Sequence, residues 1–271
     1  MTRYLITGGT GSLGKALIQR LLQNPENEII VFSRDEGKQA LAFGKYSEII
    51  RVIGDIRDFD KVIGDIRDLD KLSTSMLLHS PDYVIHTAAL KRIDDMEFHP
   101  DECVKTNIAG SENVARASLL NRVQKCVLIS TDKACQPVNV YGSSKFIAER
   151  CFTNYDYYSP DTMFIPQICS YDMNTIISAV EKMHGSPVEY ELIGLRPGEK
   201  LHEDMLAVTE LPFTYKVPGL NLLSVRPQYT KRTLRSDWED YTGPEFNSAL
   251  HMSDNIEELV QLIHRGLEDA N

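Results

Sequence analysis

Strand and helix alternate from the first residues of this chain, and a glycine-rich turn lies at the first crossing between them. Tyr4-Leu5-Ile6 is a short apolar run that ends in Thr7-Gly8-Gly9-Thr10-Gly11-Ser12-Leu13-Gly14. Leu13, Leu17 and Leu21 then recur every four residues, one face of a helix. Residues 28–32 read as a second strand, 35–43 as a helix and 48–53 as a third strand. A helix around residues 69–78 precedes a fourth strand, Tyr83-Val84-Ile85. Pro100 opens a long helical stretch toward Leu120, residues 126–129 form a fifth strand, and 140–152 a helix. Continuous apolar strands alternating with helices predict an α/β fold, a doubly wound parallel sheet covered on both faces.

After Phe152 the alternation weakens. Residues 162–165 predict a strand, 173–183 a helix, 188–193 a strand and 199–206 a short helix. Residues 207–250 carry several Pro and Gly with little periodicity, and a last helix spans 255–267. The expected organisation is a domain at residues 1–159 and a smaller, shortened lobe at 160–271.

The glycines at 8, 11 and 14 fit G-x-x-G-x-x-G, and those at 9, 11 and 14 fit G-x-G-x-x-G. Between a first strand and a first helix, this pattern predicts a Rossmann-type dinucleotide site. Glycine permits the tight turn, and backbone amides then approach a pyrophosphate at the helix N-terminus. Gly8, Thr10, Gly11, Ser12, Leu13 and Gly14 are the candidates. The second strand ends in Ser33-Arg34, with Lys38 one turn on. Cations there suit a ribose 2′-phosphate, so NADP is the expected cofactor; the alternative is a solvated Arg34 with Asp35 holding the 2′-hydroxyl of NAD.

Lys plus Arg number 29 against 39 Asp plus Glu, a net charge of -10. An acidic chain argues against nucleic acid or an anionic membrane as partner. No apolar run approaches the ~18 residues of a membrane span, and the first apolar stretch is too short for a leader. Five cysteines (Cys103, Cys126, Cys135, Cys151, Cys169) with no C-x-x-C pair fit free thiols in a reducing cytoplasm. No metal is expected.

Chemistry in a doubly wound sheet sits at the carboxyl ends of the strands. Ser130-Thr131-Asp132-Lys133 follows the fifth strand there, and Tyr141 and Lys145 share one face of the next helix. An ammonium beside a phenol lowers its pKa and makes it a usable base. The Asp132-Lys133 doublet adds an acid and an amine, or else is a surface ion pair.

TGGTGSLG, FSRDEGKQ, GDIRD, HTAALKR, KTNIAGSENV, STDKACQPVNVYGSSK and LRPGEKLHE together resemble the extended short-chain dehydrogenase/reductases. Within these they resemble the inverting UDP-N-acetylglucosamine 4,6-dehydratases of capsule and flagellin-sugar biosynthesis. The resemblance implies NADP and a UDP-N-acetylhexosamine as partners, and a homo-oligomer. It implies that Tyr141, with Lys145 and Thr131, removes the 4-hydroxyl proton while hydride leaves C4. Lys133 as a neutral amine then takes the C5 proton, and Asp132 protonates the departing 6-hydroxyl. It further places Ser130, Ala88, Ala89 and Lys91 beside the cofactor and Asp55-Ile56 on the adenine.

Two departures accompany the resemblance. Residues 52–61, VIGDIRDFDK, are repeated as 62–71, VIGDIRDLDK, differing only at Phe59 and Leu69. Asp55 rather than Asp65 is expected at the adenine, because it continues a strand begun at Glu48, with residues 62–71 looping outward. Beyond Tyr155 the chain passes directly to Thr162-Met163-Phe164-Ile165-Pro166, omitting two strand–helix units of about 30 residues each. The alternatives to a dehydratase are therefore an NADP-binding protein with little turnover, and a nucleotide-sugar 4-epimerase.

Overall fold

The computed structural model describes residues 1–44, 49–52, 64–154, 163–226 and 237–268, and the chain divides into two compact units. The first comprises Met1–Ala134 and Val140–Asp161, the second Cys135–Asn139 and Thr162–Asn271.

In the first unit, β1 (Thr2–Thr7), α1 (Ser12–Leu21), β2 (Asn27–Phe32), α2 (Glu36–Phe43) and β3 (Ile49–Val52) come first. Next are α3 (Leu69–His79), β4 (Tyr83–His86), α4 (Ile93–Phe98), α5 (Pro100–Cys103), α6 (Gly110–Leu120), β5 (Lys125–Leu128) and α7 (Val140–Asn154). All five strands are parallel, in the order β3-β2-β1-β4-β5. The order reverses at β1, so the carboxyl ends of β1 and β4 open a crevice there.

Successive strand residues point to opposite faces. Leu5, Ile30 and Phe32 therefore join Leu72, Met76, Val114 and Ala117 on one side, while Ile6, Ile29 and Val31 join Ile18, Phe43 and Ile49 on the other. That double burial is why these strands read as unbroken apolar runs. The stretch from Pro100 is not one regular helix. A π-helical segment, Val104–Ala109, separates α5 from α6.

The repeat resolves against expectation. Residues 64–71 do not loop outward; they are built into the fold. Ile66 is 5% exposed in the core, Leu69 packs beside it, and Asp68 caps α3 by accepting from the Lys71 amide. The second copy thus supplies the start of α3, whose Leu72 and Met76 fill the same core. Asp55 and Ile56 lie outside the described residues.

In the second unit, β6 (Met163–Pro166), α8 (Met173–His184), β7 (Asp204–Leu206), β8 (Thr214–Lys216), β9 (Leu222–Val225), β10 (Glu239–Asp240), β11 (Phe246–Asn247) and α9 (Ile256–Glu268) follow. The strands form an antiparallel sheet, β10-β8-β9-β6, and a pair, β11-β7. Ile165, Leu206, Leu223, Val225 and Phe246 make its core. Two expectations fail here. Residues 188–193 form no strand: no described segment pairs with them, and Leu192 and Ile193 are 88% and 75% exposed. Residues 199–206 hold a bend and β7 instead of a helix, because Leu206 packs with Phe246 across the β7–β11 pair. The weakly periodic 207–250 contains β8 to β11, strands of two to four residues, too short to print an alternation. No helix of the described residues is long and apolar enough to cross a membrane.

Candidate active site

Gly8 has φ +70°, and a Cβ there would lie 2.7 Å from the Ala88 backbone. On Gly14 it would lie 2.6 Å from Gly9 Cα. Only glycine allows both approaches, which seat the β1–α1 turn against the loop after β4 at the crevice. The Gly11 amide donates to the Gly8 carbonyl at 3.0 Å, and Gly11 caps α1 without a side chain. No acidic residue occupies the first turn of α1, so its positive end, at Ser12, Leu13 and Gly14, is open to an anion. Thr10 and Ser33 hydroxyls meet at 3.2 Å, joining this turn to the end of β2.

Arg34 is half exposed, 3.7 Å from Asp65. Asp35 is committed to the cap of α2: it accepts from the Lys38 amide at 2.9 Å and pairs with the Lys38 ammonium at 3.3 Å. These bonds hold its carboxyl below the ordinary range. Burial works to raise the Asp65 carboxyl, but hydrogen bonds and charge from Arg67, with help from Arg34, hold it low. An open cavity beside this acid is lined by Asp65, Arg67, Asp68, Leu69 and Asp70, all of the second copy. Ala88 packs partly buried against the core, Ala89 is half-buried next to it, and Lys91 is exposed.

Beyond β5, Ser130 donates to the Glu149 carboxylate of α7. Residues Asp132–Ala134 form a 3-10 turn. Asp132 Oδ1 accepts from Thr131 Oγ1 at 2.7 Å and from the Lys133 amide at 2.9 Å, and the Lys133 ammonium lies 3.6 Å away. The doublet is thus a close ion pair, its side chains about a quarter and a third exposed. Tyr141, at the start of α7, is raised above its ordinary pKa by burial, opposed by a hydrogen bond with Thr131 and by the charge of Lys133. The expected effect of Lys145 on this phenol is not seen. Lys145, 3% exposed, donates to the Ile129 carbonyl at 2.6 Å. Burial brings its own pKa down to about 8, with Glu149 opposing.

Two polar residues of this centre escaped the sequence reading. His86 ends β4 fully buried, its Nδ1 2.6 Å from Thr7 Oγ1 and its Nε2 2.9 Å from Ser111 Oγ. Burial, with the Lys145 charge second, pushes its pKa down to about 3. Asn107, in the π-helical segment, is also fully buried. It accepts from the Leu90 amide at 2.8 Å, and donates to the Leu90 carbonyl at 2.9 Å and to Ser144 Oγ at 3.0 Å. It thereby ties the loop after β4 to the Tyr–Lys helix. A buried polar group must find partners, so a His closing a buried strand was the available signal, while Asn107, set among Lys105, Thr106 and Ser111, carried none.

The model of the polysaccharide biosynthesis protein family matches residues 4–166. An inverting UDP-N-acetylglucosamine 4,6-dehydratase of Campylobacter jejuni is 32% identical, over 81% of this chain and 82% of its own length. A UDP-glucose 4-epimerase of Rickettsia canadensis is 43% identical over 54% of this chain and 41% of its own. The crystal structure of Pen from Bacillus thuringiensis shares the fold, with a TM-score of 0.81 at 24% identity over 97% of both chains. The Campylobacter alignment spans 285 positions, while 81% of 271 residues is about 220, so about 65 of its positions face no residue of this chain. That is the size of two strand–helix units. β5, the last parallel strand before the omitted units, pairs only with β4 among the described residues, and its Val127 is 48% exposed. By its matched residues, 4–166, and by relatives that are nucleotide-sugar dehydratases and epimerases, the chain belongs to the polysaccharide biosynthesis protein family.

Proposed function

We propose that the chain is an NADP-dependent lyase that carries out 4,6-dehydration, with inversion at C5, of a UDP-N-acetylhexosamine. UDP-N-acetylglucosamine is the first candidate, in the making of surface-polysaccharide or glycan precursors. The observation that carries this reading is the gathering of Thr131, Asp132, Lys133, Tyr141 and Lys145 beyond the carboxyl end of β5.

The residues fit the cofactor. The Gly8–Gly14 turn and the open end of α1 suit a pyrophosphate, and the half-exposed Arg34 with Lys38 suits a 2′-phosphate. Ser33, Ala88, Ala89, Lys91 and Ser130 complete the cradle. Asp65 and Ile66, built in beside Arg34, take the adenine role that Asp55 and Ile56 were expected to fill. When bound, the nicotinamide takes a hydride from the sugar and returns it.

The chain's own groups handle the protons. Tyr141, bonded to Thr131, accepts the proton of the 4-hydroxyl. Lys133 accepts the C5 proton once a 4-keto group has acidified it, and Asp132 delivers a proton to the 6-hydroxyl leaving as water. Lys145, whose ammonium donates to the Ile129 carbonyl, anchors α7 and so supports the Tyr141 that this helix carries. A homo-oligomer would complete the substrate side, and five free thiols support a reducing cytoplasm.

Incubation with UDP-N-acetylglucosamine and NADP, followed by mass analysis, should show a product lighter by one water. The missing positions, and an edge of β5 that no described strand pairs, favour a second reading, an NADP-binding family member with little turnover. Tight NADP binding with no loss of water from any UDP-hexosamine would select it. A 4-epimerase would instead give a product of unchanged mass.

A further inference from the structure

Cys135-Gln136-Pro137-Val138-Asn139 is the whole connection between the turn that carries Asp132 and Lys133 and the helix that carries Tyr141 and Lys145. It is a stiff and strained connection. Gln136 has φ +47°, where a side chain crowds its own backbone, and Pro137 fixes its φ. The five residues keep this path despite the left-handed Gln136. They also group with the second unit, apart from the residues on either side of them.

The hydrogen bonds give the reason. At the first residue of the pentapeptide, the Cys135 carbonyl accepts from Lys200 Nζ at 2.9 Å. At the last, the Asn139 side-chain amide donates to the Gly198 carbonyl at 2.7 Å. Both partners belong to one turn, Arg196-Pro197-Gly198-Glu199-Lys200, which braces itself. The Arg196 amide and Nε donate to the Glu199 carboxylate at 3.0 and 2.9 Å, and the Glu199 amide returns to the Arg196 carbonyl at 3.1 Å. Gly198 takes φ +80° at its corner. Lys200 also reaches Asp204 of β7 at 3.2 Å, and β7 is fixed by pairing with β11 above Leu206 and Phe246. Asn139 is 7% exposed, and the Lys200 side chain 15%. An ammonium and an amide withdrawn this far from water are held by their partners.

The roles assigned above leave the R-P-G-E-K turn without a task. We propose that Lys200 and Asn139 are positioning residues: they pin the two ends of the connection and so fix the spacing between the Lys133 amine and the Tyr141 phenol. The proposal rests on the dehydratase reading, in which both groups must act in turn on one sugar. Tyr141 sits on a helix with its own packing, so a released connection displaces the Asp132–Lys133 turn most. A misplacement of about 1 Å costs up to ~10²-fold in rate.

The test uses the full chain with Lys200→Met, Lys200→Arg and Asn139→Ala. NADP affinity should stay at the parent value in all three, and reduction of the cofactor by UDP-N-acetylglucosamine should change little. Solvent deuterium entering C5 should slow by about tenfold or more in Lys200→Met and Asn139→Ala, with Lys200→Arg restoring part of the rate. Amide hydrogen exchange over residues 132–141 should speed up in the two deletions of contact, with residues 4–14 unaffected. Parent-rate C5 exchange in Lys200→Met, or an equal fall in cofactor reduction and C5 exchange, overturns the proposal. A parent that neither reduces its cofactor nor exchanges C5 overturns the dehydratase reading instead. The pinning then stands on amide exchange alone, and unchanged protection of 132–141 in both variants overturns it. Should Lys200→Met fail to fold, Asn139→Ala, which removes the hydrogen bond to the Gly198 carbonyl, carries the same measurements.

Discussion

The two units bury their apolar residues by different means. In the first, helices cover both faces of a parallel sheet, and four consecutive residues of β2, Ile29 to Phe32, are wholly inaccessible. In the second, strands of two to four residues enclose five buried apolar side chains, while Leu192 and Ile193 stand in solvent. The deeper burial goes with buried ionisable groups. His86 and Lys145 lie in the first unit, each shifted chiefly by loss of water. Desolvation moves pKa values most in a thick core, and tuned acids and bases are what catalysis requires.

The largest expected effect tests that contrast directly. The folded pKa of His86, about 3, lies below its ordinary 6.5, so the unfolded chain takes up the proton first as pH falls. Stability from this group is complete above about 6.5 and is lost progressively down to about 3, a total of roughly 5 kcal/mol. Hydrogen exchange followed from pH 6.5 to 4 should therefore show the β1–β4–β5 peptides opening before those of β8 and β9. The reverse order would break the comparison.

Next come the catalytic groups. Tyr141→Phe should stop the reaction before any reduced cofactor forms. Lys133→Ala should form reduced cofactor and a 4-keto sugar, yet take up no solvent deuterium at C5. Each change should cost about 10²–10⁴-fold in turnover, with melting temperatures near the parent's. Deuterium entering at the parent rate in Lys133→Ala removes it as the base.

The same contrast decides what was legible in the sequence. Residues 28–32 and 83–85 announce strands because burial on both faces leaves no polar position to interrupt the run. The glycine turn was equally plain, since its close approaches to Ala88 and Gly9 admit no other residue. Tyr141, Lys145 and the Asp132–Lys133 doublet stood out by spacing. Their electrostatics did not: the Lys145 ammonium is spent on the Ile129 carbonyl, a long-range contact that helical spacing cannot report. Residues 188–193 have the apolar content of a strand but no described partner, and pairing is a property of two segments. The repeat misled for a related reason. Continuity with β3 favoured the first copy, whereas Leu72 and Met76 downstream anchor the second.

Two glycines of similar conformation sharpen the comparison. Gly8 and Gly219 have φ +70° and +73°, but a Cβ meets the Ala88 backbone at 2.7 Å in one case and nothing within 4 Å in the other. Gly8→Ala should cost about 3 kcal/mol or more, from strain and overlap together, and abolish NADP binding. Gly219→Ala should cost about 1 kcal/mol, from backbone strain alone. Equal melting temperatures for the two variants would contradict the packing of the β1–α1 turn. Cofactor choice is a smaller effect. Arg34→Ala should narrow the preference for NADP over NAD by about 1–3 kcal/mol, and equal affinities in the parent by calorimetry would remove the preference altogether.

The smallest effect separates the two copies of the decapeptide. Removing residues 52–61 joins Arg51 to Val62, and removing 62–71 joins Lys61 to Leu72. The two products have the same sequence except for one residue, Leu69 in the first and Phe59 in the second. That residue opens α3 and packs, partly buried, against the core beside Ile66. Removal of 52–61 keeps the leucine, shortens a connection and leaves every described contact of Gly64, Asp65, Ile66 and Asp68 in place. Its stability should match the parent's within about 1 kcal/mol, the order of the loop-closure entropy returned. Removal of 62–71 presents a phenylalanine to a space shaped for leucine, and should be the less stable product by about 1 kcal/mol. Both should bind NADP. Melting curves of the two proteins decide the matter. If neither folds, the extra ten residues carry structure of their own. If the phenylalanine form is the more stable, α3 starts on the first copy.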